Sequence, residues 1–468
     1  MREAVMLGEA VMRADSTQNC VLEDRPEPVD GGLEQLGWQY FATSPRKADH
    51  PIGVEYIGKY DDFTGVDEAV RRNCEALEDA GVPLLLRSPY LISNYADINE
   101  DILARVDRFT GTTLDETAVI IRHTIPSREL AAAMAYPQRA IRSGASQEAI
   151  AEFRRRSILF AAFESSQIDA EQARCYRAIG GVWVPCQRNQ DMLERNDVRS
   201  TVIPHSYAPD DPMLLRGAPS RRLPGQPFTF LMIGKWEPRK AQHAAVGGFL
   251  STFGPKEDVR LVIKTSRYGE TWKDYPADLS ASIRQWLEDP DVLRHGWDAE
   301  SVEKRVVWLI ENYPREAMVE LYHRSHAFVS SGRAEGFDLP SFDAKLAGLP
   351  LIHAGWGGTE DFAGPLDERY GNDQLQAPIH EGYGYLSGVW SGHTHIDVGA
   401  AMRRTFSRWG HASRDPSWAP GCPVHVRRGF GREHVGMLMR KSIEVIASLT
   451  PPAVPPEPTP EPDLQAAA

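Results

Sequence analysis

The stretch Arg333-Ala334-Glu335-Gly336-Phe337-Asp338-Leu339-Pro340-Ser341-Phe342-Asp343-Ala344 carries the residue types most suited to chemistry. Two carboxylates, Glu335 and Asp343, flank seven residues, with a turn containing Gly336 and a proline that suits a helix start. The apolar run His326–Ser331 precedes it and Leu349–Ala354 follows, so the pattern reads strand, turn, helix, strand: a parallel α/β unit. In such units ligands bind beyond the carboxyl ends of the strands. Free amides and the positive dipole end of the helix suit a phosphate there. Glu335 at the turn and Asp343 on the helix are then placed to meet hydroxyls on either side of that phosphate. A nucleotide sugar has this layout of sugar, diphosphate and ribose. The plainer alternative is a surface loop with solvated acids.

This stretch resembles the motif of the retaining GT-B glycosyltransferases, in which two Glu residues bracket seven others, usually within Glu-Gly-Phe-Gly-Leu-Pro. Here the second Glu is Asp343 and the second Gly is Asp338. Asp338 either brings a negative charge close to the diphosphate or caps the following helix with its side chain. The resemblance implies that Glu335 is catalytic, holding the sugar hydroxyls. It assigns Gly336, Phe337, Asp338 and Leu339 to the donor and Asp343 to the ribose. Gly234-Lys235-Trp236-Glu237-Pro238-Arg239-Lys240 is similar to the family's phosphate loop, so Lys235 and Lys240 are expected to hold the diphosphate. Two cations at a helix start are unfavourable without an anion, and they supply the charge that a departing nucleoside diphosphate needs. No Asp-x-Asp metal motif is convincing: Asp61-Asp62 and Asp210-Asp211 read as solvated turns, and the reaction is expected to need no metal and no cofactor beyond the donor.

Other candidates lie at strand ends. Lys264 ends an apolar strand and either faces the nucleotide or solvent. Gly357-Gly358-Thr359 either closes over the base or ribose or is a turn. In the first half, His123 follows Ala118–Arg122, and the resemblance suggests a catalytic place beside the donor sugar; a lone histidine is also often structural. Glu164 follows Ser157–Ala162 and is a candidate to orient the acceptor. Gly65 opens a helix and would allow a phosphate close. His205 matches a landmark between the family's domains. The groups Arg154–Arg156 and Arg221-Arg222 either touch an anionic acceptor or, the plainer reading, are a helix face and a solvated linker.

The elements that must position these residues fall into two βα series. Residues 51–205 alternate apolar strands with amphipathic helices, the first helix at about 66–80 with a capping-box pair Thr64/Asp67 ahead of it and Gly81 closing it. Residues 206–226 are rich in Pro, Gly and Arg and read as a linker. Residues 227–433 repeat the alternation, and an apolar stripe at 434–450 makes a last helix. The expected fold is therefore α/β, and the resemblance makes it GT-B: two facing Rossmann-like domains, acceptor side first and nucleotide-sugar side second, with a C-terminal crossover helix. Residues 1–50 read as an extension and 451–468, with seven prolines, as a disordered tail.

Of the formal net charge of −13, the extension holds −4 and the tail −3, leaving about −6 on the body. That mild acidity argues against broad nucleic-acid binding. Five scattered cysteines without metal spacing suit a reducing compartment. No apolar run approaches the ~20 residues of a membrane span. A cytoplasmic enzyme is expected, with a nucleotide sugar as partner and a saccharide, lipid, protein or modified nucleobase as acceptor. Transfer to a modified base in DNA, and an inactive sugar-nucleotide-binding protein, are the alternatives.

Overall fold

The computed structural model describes residues 53–449 except 61–63, 89–95, 115–116, 216–224, 266–274, 372–374, 377–387, 412 and 414–420. The expected extension and tail, Asp61-Asp62 and Arg221-Arg222 lie outside the described residues.

Among the described residues two six-stranded sheets, every neighbouring pair parallel, stand beside a two-stranded antiparallel ladder of Leu375–Gln376 with Trp390–Ser391. The first contains β1 (Gly53–Gly58), β2 (Leu84–Arg87), β3 (Thr117–His123), β4 (Ser157–Phe160), β5 (Gly181–Val184) and β6 (Ser200–Val202), in the order β2-β1-β3-β4-β5-β6. The second contains β7 (Phe228–Ile233), β8 (Val259–Lys264), β9 (Val306–Leu309), β10 (Ala327–Ser330), β11 (Leu351–His353) and β12 (Glu368–Arg369), in the order β12-β11-β10-β7-β8-β9. Helices on both faces explain why these strands are near-continuous apolar runs such as Phe-Thr-Phe-Leu-Met-Ile. Strand order reverses between β1 and β3 in the first sheet and between β7 and β10 in the second. At such a reversal the following loops diverge and leave a crevice. The loop after β1 leads to Gly65, His123 is the last residue of β3, and the loops after β7 and β10 carry Lys240 and Glu335.

Helix Gly65–Asp79 starts as its sequence implies, with the Thr64 hydroxyl accepting from the Asp67 amide at 3.4 Å. Past its end, Gly81 takes φ 70°, and the Val82 amide returns to the Leu77 carbonyl. The last helix, Arg432–Ser448, packs back on the first half through Val435, Met439, Ile443 and Ile446. Gly436 makes this crossing close: a Cβ there would lie 2.1 Å from the Ala76 carbonyl oxygen. Ser442, placed on the same stripe, accepts from the Trp183 indole at 2.9 Å. No helix among the described residues is long and apolar enough to cross a membrane.

Arg154–Arg156 end helix Gln147–Arg156, as read, but Arg154 and Arg155 are buried, and Arg155 Nη1 donates to the last helix's Ile446 and Ala447 carbonyls, each at 2.8 Å. Both carbonyls lie in the helix's last turn, where Ile446 also accepts from the Leu449 amide at 3.2 Å and the negative end of the helix favours a cation. Asp211 is not a solvated turn residue: it is buried and receives Arg315 Nη2 at 2.9 and 3.0 Å.

Candidate active site

Glu335 follows β10 by five residues, and its carboxylate turns back toward the loop after β7. Lys240 Nζ lies 2.7 Å from Oε1 and 2.8 Å from Oε2. Arg239 Nη1 lies 3.1 Å from Oε2. Burial would raise the Glu335 pKa, but the two adjacent cations outweigh it and hold the carboxyl below its ordinary value. Lys240 is shifted upward, burial being overcome by Glu335. Both groups are therefore charged at neutral pH. A narrow recess opens here, lined among others by Lys240, Gln242, Ser331, Gly332, Glu335 and Asp338.

The turn after Glu335 is clamped from two sides. A Cβ on Gly336 would lie 2.5 Å from Ala162 Cβ, just past β4 in the first half, so only glycine lets the two halves approach this closely. From the other side the Gly358 amide donates to the Glu335 carbonyl at 2.9 Å. Gly357-Gly358-Thr359 thus buttresses the turn that carries Glu335. Phe337 is buried, its ring 4.8 Å from that of His205. Leu339 begins helix Leu339–Leu346, and its side chain faces Gly65 across the seam, where an added Cβ would meet Leu339 Cδ1 at 3.8 Å.

Asp338 does not cap that helix with its side chain. Its backbone is left-handed at φ 72°, a conformation that aspartate tolerates better than most residues. Its Oδ2 accepts from the Ser330 hydroxyl at 2.6 Å and also from the Ser341 hydroxyl. Burial first, then the charge of Glu335, raises its pKa. Asp343 is shared between two cations: Arg72 Nη2 reaches Oδ1 at 2.9 Å and Arg315 Nη1 reaches Oδ2 at 3.3 Å. Arg72 belongs to helix Gly65–Asp79, so this pair ties the two halves together.

Lys235 is exposed at the rim, while its carbonyl accepts from Gln242. Lys264 ends β8, half-buried, with Nζ 5.5 Å from the Tyr313 ring centre, and burial lowers its pKa. His123 closes β3 instead of following it. It is 5% exposed, its ring stacks on Phe160 at 4.3 Å, and its Nδ1 lies 2.8 Å from the Tyr56 hydroxyl. Burial depresses it to about 3, so the imidazole stays neutral at physiological pH. Glu164 stands across the seam, with Oε1 3.1 Å from Arg239 Nη1. Its carbonyl accepts from the Trp390 indole at 2.9 Å. Burial, opposed by Arg239 and reinforced by Glu335, raises Glu164 to about 7.

The structure thus gathers Lys240, Glu335, Asp338 and Glu164 into one cluster. Gly336, Phe337, Leu339 and Gly65 line the adjoining seam, while Lys235 and Lys264 lie at the margins. Sequence reasoning gave no role to Arg239, although it lies within the basic loop beside Lys240. It had no signal for Arg72 or Arg315, which look like ordinary charges on helices. Among the described residues no cluster of three or more His, Cys, Asp or Glu side chains is arranged to hold a metal ion.

No family model matches the chain. The serotype-specific mannosyltransferase WbdA of Escherichia coli is 27% identical over 188 residues, which cover 39% of this chain and 20% of WbdA. The match therefore spans about a fifth of that relative's length. Among solved structures, HepE of Anabaena in complex with UDP and glucose superposes with a TM-score of 0.50 at 14% identity, covering 84% of this chain and all of HepE. Sucrose-phosphate synthase from Thermosynechococcus elongatus gives 0.51 at 14% identity, covering 84% of this chain and 99% of that one. With two parallel six-stranded sheets and these neighbours, the fold is GT-B.

Proposed function

We propose that this protein is a retaining glycosyltransferase that moves a sugar from a nucleotide diphosphate sugar to an acceptor hydroxyl without a metal ion. The observation that carries the reading is Glu335, a buried carboxylate held ionised by Lys240 and Arg239 at the strand-order reversal of the second sheet and facing the first half. The likeness to WbdA and to a structure holding UDP and glucose supports it.

In this reading Glu335 holds the sugar hydroxyls and stabilises the oxocarbenium-like transition state. The backbone from Gly336 to Leu339 receives the diphosphate at the start of helix Leu339–Leu346. Lys240, joined by Lys235 from the rim, stabilises the charge on the departing nucleoside diphosphate, as a metal would elsewhere. Asp343 meets the ribose, sharing its oxygens with Arg72 and Arg315. The bond from the anomeric carbon to phosphate oxygen breaks while a bond to the acceptor oxygen forms on the same face, and the acceptor proton passes to a phosphate oxygen. Glu164 orients the acceptor hydroxyl. His123, neutral and enclosed, shapes the wall of the sugar site and takes no part in proton transfer.

A panel of UDP- and GDP-sugars in a thermal-shift assay, followed by turnover in EDTA, tests this. One donor class is expected to raise the melting temperature, and its turnover is expected to survive EDTA. No shift with any nucleotide sugar contradicts the donor assignment. Loss of turnover in EDTA with recovery in magnesium contradicts the metal-free assignment.

A further inference from the structure

Arg239 is 7% exposed and commits both terminal nitrogens to the site. Nη1 lies 3.1 Å from Glu335 Oε2, 3.1 Å from Glu164 Oε1 and 2.8 Å from the Ala334 carbonyl oxygen. Nη2 lies 2.9 Å from Glu237 Oε1. Glu335 comes from the loop after β10, Glu164 from the loop after β4 in the other half, and Arg239 from the loop after β7. One rigid nitrogen therefore links a donor-side carboxylate to an acceptor-side carboxylate across the seam. A planar guanidinium fixes both directions at once, which a lysine ammonium at this place would not.

We propose that Arg239 is a positioning residue for glycosyl transfer, its Nη1 fixing the separation between Glu335 and Glu164 so that Glu164, as carboxylate, orients the incoming hydroxyl toward the sugar held by Glu335. The proposal rests on the donor reading of the Glu335 site. It follows from the chemistry of the contact: ionised Glu164 is the stronger acceptor for both Nη1 and the incoming hydroxyl, and it must stay ionised among like charges. The charged groups facing it are Arg239, Lys240, Glu335 and Glu237, the first two favouring the carboxylate and the last two opposing it. Trp390, which binds the Glu164 carbonyl from a third segment, brings no charge. With Glu164 near 7, turnover is expected to rise with pH through neutrality, and removal of Arg239 to carry that limb upward.

The test uses hydrolysis of UDP-glucose or GDP-mannose, water standing in for the acceptor, by the full chain and by Arg239→Ala, Arg239→Lys and Glu164→Gln. Rates are followed from about pH 5.5 to about pH 9 beside melting temperature and affinity for the free nucleoside diphosphate. Expected are a wild-type limb near 7 and its absence in Glu164→Gln. In Arg239→Ala the limb is expected to move up by about one pH unit, and turnover to fall ~10²-fold through lost alignment. Nucleoside diphosphate affinity should hold within about threefold, since that ligand lacks the sugar. Arg239→Lys keeps the charge, so its limb should stay near the wild-type position while turnover remains below wild type. If Arg239→Ala does not fold, that contrast in the Lys variant carries the test. A limb unmoved in Arg239→Ala, or full turnover in Arg239→Lys, overturns the role of Arg239 while leaving the donor reading intact. Absence of wild-type turnover with every donor overturns both.

Discussion

At the scale of residues, Asp338 shows how a misfit in sequence becomes intelligible in structure. As a charge beside a diphosphate site it looks out of place, and its type suggests a helix cap. The backbone explains it instead: at φ 72° and ψ 69° the position demands glycine, asparagine or aspartate, and the carboxylate then turns inward to two serine hydroxyls. A dihedral angle leaves little trace in a single sequence. Asp338→Asn and Asp338→Gly are expected to be more stable than Asp338→Ala, the alanine carrying about 1–2 kcal/mol of left-handed backbone strain. Urea unfolding of the three variants measures the difference, and an alanine variant as stable as the glycine one would refute the backbone argument. Glu335 was picked out by residue type and spacing and Lys240 by the likeness of its loop to a phosphate loop, but nothing in the sequence announced that the two side chains pair. Arg239 was not picked out, because its value comes from Glu164, a residue from the opposite half.

At the scale of elements, the strands were legible as apolar runs because both faces of each sheet are covered, and the helices as 3.6-residue stripes. Ends shifted by a residue or two: β3 runs on to include His123, which turns that side chain from a loop candidate into a wall of packed rings. The run Arg154–Arg156 falls on a helix as read, but its partner was not legible: Arg155 is buried and donates to the Ile446 carbonyl of a helix 291 residues away in the chain. The stripe of the last helix was visible, but what it packs on was not. It approaches closely at Gly436, over Ala76 of helix Gly65–Asp79. Gly436→Ala is expected to push these helices apart at a cost of about 1–3 kcal/mol, in the range of overpacked interiors. The denaturation midpoint should fall accordingly; an unchanged midpoint would show that the crossing has slack.

At the scale of the whole molecule, the candidate site exists only where the two sheets face each other. Each sheet reverses its strand order at one place, and both reversals open on the same seam, where Gly336 touches Ala162, Leu339 faces Gly65, and Arg72 reaches Asp343. The repeated βα pattern announced two sheets, and the resemblance their facing arrangement. Pairing between halves was beyond either, because Arg72 and Asp343 are 271 residues apart and neither carries a local pattern. The central claim is that this seam brings Glu335 to a bound donor sugar. Turnover of the accepted nucleotide sugar by Glu335→Gln, read beside affinity for the free nucleoside diphosphate, tests it most directly. The account predicts a loss of ~10²-fold or more in turnover, as for removal of a group aimed at transition-state charge, with nucleotide affinity held within about threefold. Near-native turnover in the glutamine variant would contradict it.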